Sequence, residues 1–195
     1  MFLILMVLAK HPMLLRGDAM NRYFTVKKSV LLLCRTGILA SLALVLSFFE
    51  SMLPSLPFLL PGMKLGLSNL AVMLALDMCP LPCALCIVAV KSLFALMSRG
   101  VVASAMSLFG GLLATIGMFF MLKCKKCSFG CFGLGVGGAF LHNCGQFVAA
   151  LFLASDAVCA YFPVLAVGAL VTGSVTGLVY YFVLPVLKKL PLMGA

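Results

Sequence analysis

Residues 50–69, with the sequence ESMLPSLPFLLPGMKLGLSN, interrupt a chain that is otherwise almost continuously apolar. The segment holds three prolines followed by Gly62, and proline cannot donate the backbone hydrogen bond of a helix. It also holds Glu50 and Lys64, two of the few charged residues near the apolar stretches. Non-helical backbone near a bilayer is tolerated only where it is buried in protein or lines a polar cavity. The segment therefore predicts a stiff outer loop at the rim of a binding site, with an ordinary extracellular connector as the alternative.

The composition is that of a membrane protein. The 195 residues are 65% hydrophobic and 9% charged, and their mean hydropathy is +1.27. We therefore expect an all-α integral membrane protein in contact with the lipid bilayer. The chain has 14 Lys and Arg residues and only 4 Asp and Glu residues. The basic residues lie beside the apolar stretches, which is typical of the cytoplasmic flanks of membrane helices and not of a nucleic-acid-binding groove.

The apolar stretches predict a bundle of six transmembrane helices, at about residues 29–49, 64–78, 82–97, 102–122, 129–153 and 161–187. The expected organisation is an N-terminal tail at 1–28, one transmembrane domain at 29–189 and a C-terminal tail at 190–195. Residues 1–19 are interpreted as an extension or a misassigned start, because a more ordinary start follows at Met20.

The distribution of basic residues predicts the orientation of the chain. If the N-terminus is inside, the outer segments carry only Lys64 and Arg99. The inner segments then carry Arg22, Lys27, Lys28, Lys123, Lys125, Lys126, Lys188 and Lys189. The positive-inside rule therefore predicts a multi-pass protein of the cell membrane with both termini in the cytoplasm.

Polar residues within or beside the spans are the candidate ligand contacts. Lys91 lies near the middle of the third span, where an exposed ammonium would cost roughly 2.5–3.5 kcal/mol. It is interpreted as a functional cation, with a buried partner for Glu50 or for a carbonyl as the alternative. His142 and Gln146 are four residues apart on one helix face, in FLHNCGQF, and form either ligand contacts or a polar network between helices. The complete candidate set is Glu50, Lys64, Asn69, Lys91, Arg99, His142, Asn143 and Gln146. Its three cations and one anion predict an anionic or zwitterionic ligand.

Small residues recur at four-residue spacing in two predicted helices. The stripe formed by Ala169, Gly173 and Gly177 is expected to pack inside the bundle. Gly37 and Ser41 form a similar pair on the first span, where the pattern fits internal packing and a face for a partner helix equally well.

Cysteines form two clusters, at residues 79, 83 and 86 and at residues 124, 127 and 131. The C-x-x-C pairs within them have the spacing of half a four-thiolate metal site. Cysteine is also a common small apolar residue, so we predict no metal and no cofactor, and a cysteine-based metal or redox protein is kept as a minor hypothesis.

Familiar catalytic patterns are absent from the sequence. It contains no G-x-x-x-x-G-K-[ST] loop, no H-E-x-x-H and no nucleophile elbow. Asp18, Asp77 and Asp156 are isolated, so no aspartate cluster is predicted to hold Mg²⁺ on a diphosphate. We expect that the chain is not an enzyme.

The sequence resembles a known family over roughly residues 30–185. The resemblance is carried by residues 40–69 (ASLALVLSFFESMLPSLPFLLPGMKLGLSN), by His142-Asn143-x-Gly145-Gln146 and by Pro163, Gly168 and Thr172-Gly173. These residues resemble the Gx transporter family, also labelled heptaprenyl diphosphate synthase component I, which is similar to the substrate-binding S components of energy-coupling factor vitamin transporters. Lys91 departs from the arginine expected in relatives, which keeps the charge but loses the bidentate fork. The cysteine content is also unusual.

The resemblance implies two functions. In the first, a six-helix, S-component-like bundle binds a small, anionic or vitamin-like molecule from the outer side. Transport is then energised by a membrane coupling subunit and ATPases, and the small residues Gly37 and Ser41 form the docking face for these partners. In the second, the chain is a non-catalytic membrane subunit that accompanies a soluble prenyltransferase. The first is the leading hypothesis.

Overall fold

The computed structural model describes residues 17–52, 66–124, 129–153 and 162–189, and the regular secondary structure of this part of the chain is entirely α-helical. Its six helices are α1 (Gly17–Met52), α2 (Asn69–Met78), α3 (Leu81–Arg99), α4 (Val101–Lys123), α5 (Cys131–Leu153) and α6 (Phe162–Lys188). Within the described residues, five stretches are long and apolar enough to cross a membrane: Lys28–Met52, Leu81–Arg99, Val101–Lys123, Cys131–Leu153 and Pro163–Lys188. The prediction of an all-α membrane protein is confirmed.

The chain divides into two compact units, residues 1–34 and residues 35–195. Of the first unit, the structure describes the helical residues 17–34. The second unit contains residues 35–52 of α1 and helices α2–α6, and it holds every residue of the site described below.

The second predicted span differs from the others. The helix α2 has only 10 residues and is therefore about 15 Å long, half of the roughly 30 Å hydrocarbon thickness of a bilayer. Its residues from Asn69 to Ala75 are all buried, and the helix packs against α3, α4, α5 and α6. It is a core element of the second unit. The Pro-rich loop and Lys64 lie outside the described residues, so the complete six-span topology remains a prediction.

The turn between α3 and α4 consists of a single residue. Gly100 has φ +88°, a left-handed conformation that a residue with a Cβ adopts only at a cost. Its N–H donates to the carbonyl of Leu96 and its own carbonyl accepts from the N–H of Ser104. This turn places Arg99, the last residue of α3, directly beside the first turn of α4.

Glycines bring α4, α5 and α6 into close contact. A Cβ on Gly145 of α5 would lie 2.5 Å from the carbonyl oxygen of Phe109 on α4. A Cβ on Gly173 of α6 would lie 2.5 Å from the Cα of Val136 on α5. Backbones approach this closely only where side chains are absent. The predicted internal packing of the stripe in the last helix is confirmed.

The small residues of α1 behave differently. A Cβ on Gly37 would have no neighbour within 4 Å, and both Gly37 and Ser41 are exposed. The Ser41 hydroxyl donates to the Gly37 carbonyl in the same helix at 2.9 Å. Within the part of the chain that the structure describes, this face of α1 is therefore not used for packing.

An ion pair ties α2 to α6. Lys188 Nζ lies 2.6 Å from Asp77 Oδ2, and both side chains are partly exposed. Asp77 is eight residues after Asn69, about 12 Å along α2. The pair therefore marks the end of α2 that lies away from the pocket described next.

Candidate functional site

A polar pocket lies among α1, α3, α4 and α5, beside the residue that precedes α2. It is lined by Ser47, Glu50, Ser68, Lys91, Arg99, Ala103, Met106, Ser107, His142 and Gln146. The empty space among them is about 270 Å³, including the part that opens to solvent. Among these described residues, only Ala103 and Met106 are apolar. In helices this apolar, a concentration of polar groups on one cavity is typical of a functional site.

Glu50 holds the backbone that leads into α2. Its Oε1 accepts hydrogen bonds from the N–H of Gly66 and from the N–H of Leu67, the second at 3.0 Å. Gly66 has φ +86°, and a Cβ there would lie 3.2 Å from His142 Cδ2. Glycine is favoured here because the turn is left-handed and the imidazole is close. This arrangement fixes the last turn of α1 to the start of α2.

The deepest cation of the pocket is Lys91. Its side chain is 2% exposed, and its Nζ donates to Asn69 Oδ1 at 3.0 Å. Since Asn69 is the first residue of α2, the bond joins α3 to the short central helix. The alternative interpretation of Lys91 was a buried partner for Glu50 or for a carbonyl. The structure shows a contact of the second kind, because Lys91 donates to the carbonyl oxygen of the Asn69 side-chain amide. It also lines the pocket.

Arg99 lines the same pocket and is less buried than Lys91. It is eight residues beyond Lys91, about 12 Å along the axis of α3. Its guanidinium interacts electrostatically with Glu50 of α1. The pocket thus carries a half-buried cation beside a carboxylate and a second, fully buried cation.

Two residues of α5 complete the wall. His142 and Gln146 are both buried and both line the pocket, as their four-residue spacing predicts. The imidazole lies against Gly110 of α4, where a Cβ would be 2.8 Å from His142 Nδ1. The absence of a side chain at Gly110 therefore gives the ring its place.

The structure brings five of the eight sequence candidates together around one pocket: Glu50, Lys91, Arg99, His142 and Gln146. Asn69 reaches the pocket indirectly, through its bond to Lys91. Asn143 points to α6, where its Nδ2 donates to the carbonyl of Leu165 at 2.9 Å. Lys64 lies outside the described residues.

Sequence reasoning missed the three serines of the wall. Ser47 precedes Glu50 by three residues and so shares its helix face, and Ser68 directly precedes Asn69. Ser107 lies four residues after Ala103 on the inner face of α4. The three-residue spacing from Glu50 could have identified Ser47 as a pocket residue. Ser107 could not be identified in this way, because a single serine in an apolar helix does not indicate a binding site.

The cysteine clusters show no metal-binding arrangement within the described residues. No group of three or more His, Cys, Asp or Glu side chains in that part of the chain is placed to hold a metal ion. Cys127, one member of the second C-x-x-C pair, lies outside it.

Comparison with known proteins adds a family. No curated protein and no solved structure matches the chain significantly. The family profile described as Heptaprenyl diphosphate synthase component I matches residues 39–183. This match covers most of the chain, including all the described helices except the first part of α1 and the end of α6. The chain therefore belongs to the heptaprenyl diphosphate synthase component I family.

Proposed function

We propose that the chain is the substrate-binding membrane subunit of a transporter for a small anionic or zwitterionic molecule. The observation that carries the proposal is the pocket between α1, α3, α4 and α5, with the ammonium of Lys91 buried in its wall. A buried cation in an apolar bundle is costly unless an anion or a set of acceptors offsets it. A bound anion at this position would add an opposite charge to the hydrogen bond that Lys91 makes with Asn69.

The division of roles within the site follows from its geometry. Lys91 and Arg99 attract the negative part of the ligand, while His142, Gln146 and the wall serines supply hydrogen bonds. Asn69 acts by positioning Lys91. Asn143 joins α5 to α6 and keeps the wall in place. Lys64 stays a candidate ligand contact from sequence alone.

The proposal includes an orientation and partners. The ligand enters from the outer side of the cell membrane, and both termini are cytoplasmic, in keeping with the basic residues at the inner segments. Energy for transport comes from partner subunits of the energy-coupling factor type. The exposed face at Gly37 and Ser41 supports this part, since a partner helix can approach closely where no side chain intervenes.

The second candidate is a non-catalytic membrane subunit of a heptaprenyl diphosphate synthase, and the family description favours it. In this case a soluble prenyltransferase binds the chain and performs the reaction. The largely polar pocket supports the transporter, because a subunit that only accompanies a soluble enzyme does not require a buried polar site of its own.

Native mass spectrometry of the protein, extracted gently from its own membrane, tests the two functions. The transporter proposal predicts a small bound molecule that is retained by the wild type and lost in Lys91→Met. The synthase alternative predicts a co-purified prenyltransferase and higher synthase activity when both chains are present. A folded chain that retains no small molecule and binds no anion would refute the transporter proposal.

A further inference from the structure

The two oxygens of the Glu50 carboxylate have different surroundings. Oε1 accepts two backbone hydrogen bonds, from Gly66 and Leu67. Among the residues that the structure describes, the buried Oε2 has no hydrogen-bond partner, and the side chain, which is 6% exposed, lines the pocket. A buried carboxylate oxygen without a donor is unfavourable by about 1–3 kcal/mol or more. The pocket therefore offers an acceptor that a ligand can satisfy.

The charges of the wall limit the charge of the ligand. Its described residues carry one net positive charge when His142 is counted as neutral, because Lys91 and Arg99 outnumber Glu50. Arg99 interacts electrostatically with Glu50, and Lys91 donates a hydrogen bond to Asn69. Excess charge is costly in an apolar bundle. A ligand with a single negative charge neutralises the site, whereas a dianion leaves a negative excess and a zwitterion leaves the positive excess.

The size and lining of the pocket limit the rest of the ligand. The empty space of about 270 Å³ includes the part that opens to solvent, so it is an upper limit on the size of a ligand that the pocket encloses. In the described lining, Ala103 and Met106 are the apolar groups, and the imidazole of His142 is the one aromatic ring. The ligand is therefore a compact molecule with a small apolar part.

We infer that the substrate is a small hydroxy-monocarboxylate, whose carboxylate pairs with Lys91 and whose hydroxyl donates to Glu50 Oε2. This inference rests on the proposed function and specifies the ligand class of the same site. It assigns Glu50 two tasks on its two oxygens: Oε1 holds the start of α2, and Oε2 selects ligands that carry a hydrogen-bond donor.

The test measures equilibrium binding to the full chain in lipid nanodiscs, with a matched set of three- and four-carbon probes. The probes are lactate, propanoate (no hydroxyl), lactamide (no charge), alanine (zwitterion) and malate (dianion). The inference predicts that lactate binds about tenfold or more tightly than each of the others, since an unpaired buried acceptor discriminates strongly against a ligand that lacks the donor.

The variant Glu50→Gln should change the affinities for lactate and propanoate differently, which a purely structural role of Glu50 would not do. The amide keeps one oxygen for the N–H groups of Gly66 and Leu67 but places an NH₂ group where Oε2 was. Lactate affinity should fall about tenfold, while propanoate affinity should stay equal or rise because a negative charge has been removed. The control Asp77→Asn removes a carboxylate at the far end of α2 and should change neither affinity.

The possible outcomes separate this inference from the proposed function. If propanoate, alanine or malate binds as tightly as lactate, or if Glu50→Gln weakens lactate and propanoate equally, the inference is refuted while a ligand-binding function stands. A dianion or a donor-free molecule retained from the native membrane would refute it in the same way. If the folded chain binds none of the probes and retains no native ligand, both the inference and the proposed function fail.

Discussion

Replacing Lys91 by methionine separates its role in binding from its role in folding. Methionine keeps a long apolar stem of similar volume and removes the ammonium, which donates to Asn69 Oδ1 at 3.0 Å. Two energies then change in opposite directions. The chain no longer buries a charge at membrane depth, which is favourable by roughly 2.5–3.5 kcal/mol. It loses a charge-assisted hydrogen bond worth about 1.5–3 kcal/mol.

These two effects nearly cancel, so the free energy of unfolding should change by no more than about 2 kcal/mol in either direction. Ligand binding has no such compensation. Losing one charge-assisted bond of about 1.5–3 kcal/mol weakens an anion roughly 12- to 140-fold. Lys91→Arg keeps the charge and should retain measurable binding, because the guanidinium also donates hydrogen bonds to a carboxylate.

The assay combines thermal unfolding of the detergent-solubilised protein with equilibrium binding of the native ligand or of lactate. Asp77→Asn, which removes a charge far from the pocket, is the control for handling and detergent. Binding by Lys91→Met within about threefold of the wild type would refute a ligand-binding lysine. If Lys91→Met fails to fold while Lys91→Arg folds and binds nothing, Lys91 serves only the α2–α3 contact.

The remaining predictions concern packing, charge and topology. Gly145→Ala should destabilise the protein by about 1–3 kcal/mol in thermal unfolding, because its Cβ would lie 2.5 Å from a carbonyl oxygen of α4. The matched change Gly37→Ala should leave stability unchanged or raise it by up to about 1 kcal/mol, since no atom lies within 4 Å; an equal loss at both positions would contradict this packing. Asp77→Asn should cost less than about 1 kcal/mol, because its partner Lys188 is 52% exposed, and a loss of several kcal/mol would show a larger role for the pair. In a chain whose only cysteine is the exposed Cys124, an impermeant maleimide should label inverted vesicles and not right-side-out ones; the opposite result would reverse the predicted orientation.

The long helices could be predicted because each is encoded locally. Four of the predicted spans agree with α3, α4, α5 and α6 to within about two residues at each end. Pro80 and Gly100 set the limits of α3, and both act through the backbone of their own position. The second span was harder, because an apolar stretch of the right composition does not reveal whether lipid or protein surrounds it. Burial of Asn69 through Ala75 shows that protein surrounds α2.

The candidate site was predictable in its members and not in its geometry. A charged or amide side chain inside an apolar stretch must find a polar environment, so Lys91, His142 and Gln146 could be identified from sequence. Sequence could not separate Asn143 from Gln146, since both are polar and three residues apart. The fold directs Asn143 to the carbonyl of Leu165 on α6 and Gln146 to the pocket, although the two residues are only about 60° apart around α5.

The sequence by itself therefore determined that this is a helical membrane protein, where its long helices lie and which polar groups are buried among them, because bilayer thickness and the cost of buried charge act on each segment separately. Only the tertiary structure decided that one oxygen of Glu50 holds the start of α2 while the other has no hydrogen-bond partner among the described residues, and that Lys91 reaches Asn69. Those contacts join residues 16 to 22 positions apart in the chain, and they depend on how the helices pack. Spacing along one helix carries no information on such packing.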